Sequence, residues 1–493
     1  MAKFNRKPSE ETTNAHDYPA YRMEERERLV SAVLTTLFGE PKFYGATDGD
    51  IVVLATKMAA RDPDFLYRLA CYARNEGNLR SVSHVLTCVI AREARKYTRQ
   101  AIRRVVVRPD DITEIMSCYR QMYGKPFPNA LKREMAQVIQ RFDEYGLAKY
   151  NGGNQALRFR DVLRITHPHP KDVATAELFR KVAEDRLETP YTWETELSAR
   201  GNTREVWDEL IASGKVGYMA LLRNLRNIVK CGADLSPVLS ALADPTRVRE
   251  SRQLPFRFFS AYRTLEQEDL MTPEIHQALE TAIGVSVERM ETIPGRTLIA
   301  VDVSGSMGAK ISNRSTVTCA DIARVLAALS SRVCEDGTVC YFDCDDRFSC
   351  TGSREGYKIV RYGKFDSILV ASQQGRFGGG GTDMSLPMIY ALEHDASAPV
   401  HPFDRVIYFS DNVCNSSRYG LRVTVQKYAE AYRQLYNPDF WVHGVDLQGY
   451  GTQQFLGERF NLIAGWSENV LSFINLAERG IGTLVQAIAE YTP

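Results

Sequence analysis

The run Thr297-Leu298-Ile299-Ala300-Val301-Asp302-Val303-Ser304-Gly305-Ser306 decides how the C-terminal part of this chain folds. Five apolar or β-branched residues in succession, without helical spacing, read as a strand buried on both faces of a parallel sheet. The elements that follow repeat the theme. Helical spacing runs from Val317 to Val333 and is followed by the strand Val339-Cys340-Tyr341-Phe342. Met384 to Leu392 is helical, and Arg405-Val406-Ile407-Tyr408-Phe409 is a strand. Val425 to Leu435 is helical, and Phe440 to Val445 is a strand. Strands alternating with helices predict a doubly wound, Rossmann-like α/β domain, whose ligands gather where the strands end.

Three loops at such strand ends carry oxygen donors. Asp302, Ser304 and Ser306 place one carboxylate and two hydroxyls in the loop after the first strand. Gly378 to Gly381 precede Thr382-Asp383, and a third strand ends in Ser410-Asp411-Asn412. Asp302, Ser304, Ser306, Thr382 and Asp411 are therefore candidate metal ligands. The set holds hard oxygens and no His or Cys, which suits Mg²⁺ or another divalent cation that keeps some of its waters.

Upstream, from residue 20 to about 285, the pattern is helix after helix. Apolar residues recur at helical spacing in Leu29 to Leu37, Ile51 to Ala60, Phe65 to Ala73, Val85 to Ile90, Leu131 to Ile139, Ala176 to Val182 and Met219 to Ile228. Breakers part them, among them Gly39-Glu40-Pro41, Asp62-Pro63 and Asp244-Pro245. Asp62-Pro63 suits an N-cap with proline in the first turn. Many short helices with brief connectors predict an α-solenoid, and no strict period marks it as a regular array. The expected division is a polar tail over 1–19, a helical module over 20–288 and the α/β domain over 289–493.

The 493 residues carry 62 Lys and Arg against 61 Asp and Glu, a net charge of +1. Taken whole, that balance argues against a polyanionic partner. Taken by segment it does not. Residues 66–108 hold ten basic residues and two acidic ones, Glu76 and Glu93. Arg80, Arg99, Arg103 and Arg104 lie there, with Tyr67, Tyr72 and Tyr97 interleaved. Arginine forks bind phosphate and tyrosine rings stack on bases, so the block predicts an RNA-binding surface. A second, mixed set contains Lys132, Arg133, Arg141, Lys149, Arg158, Arg160, Arg164, His167, His169 and Lys171.

Other classes find little support. The chain has no G-x-S-x-G elbow, no P-loop lysine motif and no HExxH, so no catalytic residue is assigned and no enzyme is expected. Asp343, Asp345 and Asp346 read as a solvated loop. Ten cysteines are too sparse for a disulfide scaffold, and Cys340, Cys344 and Cys350 read as reduced thiols in preference to a zinc site. The first 17 residues hold no apolar signal segment and no membrane span is expected, which predicts a cytoplasmic protein.

The metal-ligand loops resemble the metal-ion-dependent adhesion site of von Willebrand factor A (vWA) domains: Asp302, Ser304 and Ser306 match its DxSxS loop, Thr382 its second loop and Asp411 its third. The helical part resembles the TROVE module. The matching stretches are Leu66 to Asn75 with Leu79-Arg80-Ser81, Leu147-Ala148-Lys149-Tyr150, Asp161 to Pro168, Met219 to Asn227 and Ser251 to Phe258. TROVE followed by vWA is the order of the Ro 60 kDa autoantigen family, including its bacterial Ro-like members.

The resemblance implies a monomeric ring of HEAT-like repeats closed by the vWA domain. It implies Y-like small noncoding RNA on an outer basic surface, and single-stranded ends of structured or misfolded noncoding RNA in a central hole. It further implies a role in RNA quality control, or as an adaptor to a 3′-to-5′ exoribonuclease joined through RNA. By motif, Lys149 and His167 match RNA-contacting residues. The family's arginine after that lysine falls near Gly153 here, and Arg158 and Arg160 are the nearest replacements. An alternative for the whole protein is a Mg²⁺-dependent interaction module whose vWA site captures an acidic residue of a protein partner.

Overall fold

The protein was analysed as a computed structural model. It describes residues 11–13, 19–22, 24–34, 46–151, 156–253, 255–288, 290–310, 317–344, 351, 353, 355–363, 366–375, 380–397, 401–415, 424–448, 452–464, 469–479 and 484–493. Two compact units result, one of residues 38–216 with 485–493, the other of residues 1–37 with 217–484.

The first unit is helical, beginning with Ala46–Arg61, Pro63–Asn75, Arg80–Glu93, Thr98–Val105, Pro109–Tyr123 and Asn129–Val138. Local chemistry sets the boundaries. The Asp62 carboxylate accepts from the Phe65 N–H at 3.1 Å and Pro63 opens the helix, as the Asp-Pro pair predicts. Gly124, at φ 70°, ends Pro109–Tyr123 in a conformation that a side chain would strain. One core runs through successive helices and includes Ile102, Val105, Ile112, Ile115, Met116, Tyr119, Leu131, Met135, Phe159 and Val162.

A buried carboxylate ties this unit together. Asp111 accepts from Arg74 at 3.1 Å, from Arg80 at 2.6 Å and from the N–H groups of Val107 and Arg108, and lies 3.0 Å from His84 Nε2. Burial opposes its ionisation. The His84 contact, with the Arg74 and Arg80 charges, outweighs burial and holds the carboxyl well below the usual range.

The second unit is built on a six-stranded sheet. Its order is Tyr357–Val360, Cys334–Phe342, Ile293–Asp302, Arg405–Ser410, Trp441–Asp446, Phe460–Ala464. All neighbours are parallel except the Tyr357–Val360 edge strand, which is antiparallel. The two edge strands were not legible, since a short half-exposed edge lacks the continuous apolar run of a central strand. Residues alternate between faces: Leu298, Ala300, Val406 and Tyr408 join Met384, Met388, Ala429 and Tyr432 in one core. Helix Cys319–Val333 packs against strands Ile293–Asp302 and Cys334–Phe342. The same unit contains helices Tyr218–Lys230 to Pro273–Val287.

Two differences from the sequence reading concern boundaries. The change from helix to strand does fall between Val287 and Ile293, but the helices from residue 217 onward belong to the same compact unit as the sheet. Glu280 shows why: its carboxylate accepts from Ser367 Oγ at 2.7 Å and from the N–H groups of Ile368 at 2.7 Å and Leu369 at 3.1 Å. The segment read as a polar tail contributes the strand Glu11–Thr13, which pairs with Pro19–Arg22, and that strand pairs with Thr452–Gln453. Backbone pairing needs no apolar side chain, so composition alone did not reveal it.

Candidate metal centre and basic helical face

Hydrogen bonds join the strand-end loops to one another. Asp302, the last residue of its strand, is fully buried. It accepts from the Ser304 N–H at 2.9 Å and from Ser410 Oγ at 2.6 Å. The Ser304 and Ser306 hydroxyls lie 3.2 Å apart. The Gly305 N–H donates to the Gly380 carbonyl at 3.3 Å, which draws the glycine loop onto the DxSxS loop. Thr382 is buried and fixed by Asn415, whose Oδ1 accepts from the Thr382 N–H at 2.6 Å. Asp411 is also buried, and its Oδ1 accepts from the Val413 N–H at 3.1 Å.

The electrostatics are those of an anionic cluster in which no basic side chain among the described residues pairs with Asp302 or Asp411. Burial and the Asp302 carboxylate push the Asp411 carboxyl up to about 7, against the hydrogen bonds from Ser306 and Val413. Burial likewise raises Asp302, against its bonds from Ser304 and Ser410. Asp411 Oδ2 is buried with no hydrogen-bond partner among the described residues. An orphaned buried carboxylate oxygen is costly, and a hard cation is the chemistry that removes the cost. Asp302, Ser304, Ser306 and Asp411 are linked to one another or through Ser410, and the Thr382 backbone is held by Asn415. Gly305 is exposed and Ser306 half-buried, so the cluster opens to solvent on that side.

Ser410 and Asn415 complete the arrangement and were not assigned roles from sequence. A hydroxyl one residue before Asp411 was the available signal for Ser410. Nothing local marks Asn415. Cys340 and Cys344 are buried, while Cys350, Asp345 and Asp346 lie outside the described residues. Among the described residues no group of three or more His, Cys, Asp or Glu is placed to hold a metal. Three of the five donors here are hydroxyls.

The basic residues divide in two. Arg80, a candidate RNA contact by sequence, is taken up by Asp110 at 2.7 Å, Asp111 at 2.6 Å and Glu114 at 3.2 Å. Arg68 is held by Asp64 and the Tyr491 carbonyl, Arg74 by Asp111 and Arg108 by Asp110. These acids stand outside residues 66–108, so counting the block alone missed them. Arg158 and Arg160 share Asp185 at 3.4 and 3.7 Å. The position near Gly153 lies outside the described residues.

The second group forms one exposed face. Helix Thr98–Val105 buries Ala101, Ile102 and Val105 and turns Arg99, Arg103 and Arg104 outward. Arg99 and Arg103 flank the buried Glu134 of helix Asn129–Val138, which also carries Lys132 and the exposed Arg133. Arg141 donates to the Arg103 carbonyl at 3.1 Å. Gln140 joins the next connector: its amide donates to the His169 carbonyl at 3.1 Å, and Lys171 Nζ donates to the Gln140 carbonyl at 3.1 Å. Two sets far apart in sequence are thus continuous in space. His167 is exposed and ends helix Phe159–Thr166 at φ 46°, and Lys149 is exposed beside the Tyr150 ring.

The fold and its two sites define a class: a helical-repeat module joined to a vWA domain with a DxSxS loop. A model described as the TROVE domain matches residues 42–186 and 180–272, and one described as the Ro60 vWA domain matches residues 296–439. The chain belongs to the Ro60 family. Telomerase protein component 1 of Rattus norvegicus is 26% identical across 45% of this chain and 12% of its own length. The RNA-binding protein RO60 of Deinococcus radiodurans is 24% identical across 43% of this chain and 40% of its own. The chain therefore spans less than half the length of these relatives. The crystal structure of the Deinococcus radiodurans RO (RSR) protein superposes with a TM-score of 0.63 at 18% identity, covering 93% of this chain and 100% of that one, which shows a shared fold.

Proposed function

We propose that the protein binds RNA on the face carrying Arg99, Arg103, Arg104, Arg133, Arg141 and Lys171, and that it acts without catalysis. The carrying observation is that two basic sets separated in sequence meet on one exposed surface whose core-facing side is apolar. The ligand class is Y-like small noncoding RNA together with single-stranded ends of structured or misfolded noncoding RNA, and the role is quality control or presentation to a 3′-to-5′ exoribonuclease. The relative named as an RNA-binding protein supports this reading. Asp302, Ser304, Ser306, Thr382 and Asp411 would hold Mg²⁺, which supplies an electrophilic position for an outside oxygen. A carboxylate of a protein partner would fit that position, because the cluster opens to solvent at Ser306.

Salt titration tests the RNA face. Neutralised phosphates release counterions, so each lost contact makes the dependence of affinity on salt shallower. Arg99→Ala, Arg103→Ala and Arg104→Ala together are expected to weaken binding of a structured noncoding RNA and to reduce the log–log slope by about two to three. Glu134→Gln is added so that no buried carboxylate is stranded. Arg80→Ala serves as the control, expected to lower stability and leave the slope in place. An unchanged slope in the multiple variant would assign RNA to another surface.

A further inference from the structure

We propose that Tyr97, stacked on Tyr67 and flanked by Arg95, Lys96 and Arg104, is a nucleobase-stacking platform for single-stranded RNA. The inference rests on the RNA-binding reading and adds a residue that engages bases where the arginine face engages phosphates.

Three elements build the platform. Tyr67 stands on helix Pro63–Asn75, Tyr97 on the short turn Arg95–Tyr97, and Arg104 on helix Thr98–Val105. The tyrosine rings lie with centroids 5.4 Å apart and planes 19° apart, a stacked pair. Both side chains are half-buried, so the stack reaches water. Tyr67 stacks on the Tyr97 ring, and the Lys96 ammonium also stands over that ring, 4.9 Å from its centroid.

That arrangement suits exchange. A solvent-exposed cation–π contact is weaker than the stacking of a base on a tyrosine. An arriving base can therefore displace Lys96, whose freed ammonium meets the adjoining phosphate. Arg95 and Arg104 are exposed, and no carboxylate among the described residues pairs with either. This sets them apart from Arg68, Arg74 and Arg80 on the neighbouring helices, which are tied to acids. Packing the turn onto helix Pro63–Asn75 would need only an apolar contact. A stacked ring pair beneath an exposed lysine provides a surface every base can use.

The test uses the full chain and two fluorescent oligomers of about ten units, a range that single-stranded sites span. One is oligoadenylate; the other is an abasic ribose-phosphate chain of equal charge. Wild-type protein is expected to prefer oligoadenylate. Tyr97→Leu, which keeps apolar packing, is expected to cut that preference roughly five- to hundred-fold while the salt slope holds. Tyr97→Phe is expected to retain it. Photocrosslinking with a 5-iodouridine oligomer is expected to place the adduct on Tyr97. Full affinity in Tyr97→Leu without a Tyr97 adduct overturns the platform while leaving RNA binding intact. Equal loss for both oligomers with a shallower slope also overturns it, because Tyr97 then only supports the cationic surface. Wild-type protein that binds neither oligomer nor structured RNA overturns the RNA-binding reading itself, and the platform with it.

Discussion

Asp411→Asn is expected to raise the melting temperature of the metal-free protein and to abolish the further rise that Mg²⁺ gives the wild type. Asp411 and Asp302 are buried carboxylates that meet only hydroxyls and backbone N–H groups, and Asp411 Oδ2 has no partner among the described residues. In the absence of a cation their repulsion works against the fold. The amide has the same shape, retains an oxygen for the Val413 N–H, and carries no charge. Its effect has a definite sign with pH. The Asp411 carboxyl is raised from 3.8 to about 7, so the metal-free wild type is most stable below the ordinary value. It loses stability as pH rises through the window between them, by up to about 4 kcal/mol. Because the two carboxylates titrate together, the loss belongs to the pair.

On the proposed Mg²⁺ site, the bound cation would pair both carboxylates at neutral pH and its binding free energy would offset the loss. Below about pH 7 protons would compete for the same oxygens, so Mg²⁺ affinity is expected to fall as pH falls. Thermal melts in chelator and in Mg²⁺, across pH 5 to 8, check these outcomes together. Wild-type melts indifferent to Mg²⁺, with Asp411→Asn destabilised in chelator, would remove the metal site.

Asp111→Ala is expected to cost the helical unit roughly 3–5 kcal/mol, the range for removing one side of a buried ion pair. The variant leaves Arg74 and Arg80 without their shared carboxylate. It also strips the Val107 and Arg108 N–H groups of their acceptor at the entry to helix Pro109–Tyr123. Here the pH sign is opposite to that of Asp411. The Asp111 carboxyl is held far below its ordinary 3.8. Its contribution is therefore complete above that value and drains away as pH falls below it. Urea unfolding of wild type and variant at pH 7 and pH 3 measures both effects. Hydrogen exchange should localise the loss to residues 74–111. An unchanged midpoint at pH 7 would show that the cluster is not the tie described above.

The two buried carboxylates differ in how they could be found. Asp411 stands at the end of an apolar strand, after a DxSxS loop and a glycine loop, so its place near the DxSxS loop is written in local order. Asp111 stands in an ordinary helix start, Arg108-Pro109-Asp110-Asp111. Its weight comes from Arg74, Arg80 and His84, more than 25 residues away.

The same contrast runs through the whole molecule. Sequence by itself determined the strand at 297–301, the helices on either side and the strand-end positions of Asp302 and Asp411. Apolar periodicity and strand-end loops are short-range properties that folding preserves. It also marked residues 66–108 as basic. Only the tertiary structure decided which of those charges remain exposed. Asp64 lies just outside that block, one turn from Arg68 on the same helix, whereas Asp110, Asp111, Glu114 and Glu134 reach back across helix contacts, because neighbouring helices in a packed array bring together residues some 30 positions apart. They engage Arg68, Arg74, Arg80 and Arg103, while no carboxylate among the described residues pairs with Arg95 or Arg104. Helix packing likewise joined Arg103 to Arg141 and Gln140 to Lys171, making one face from two runs of sequence.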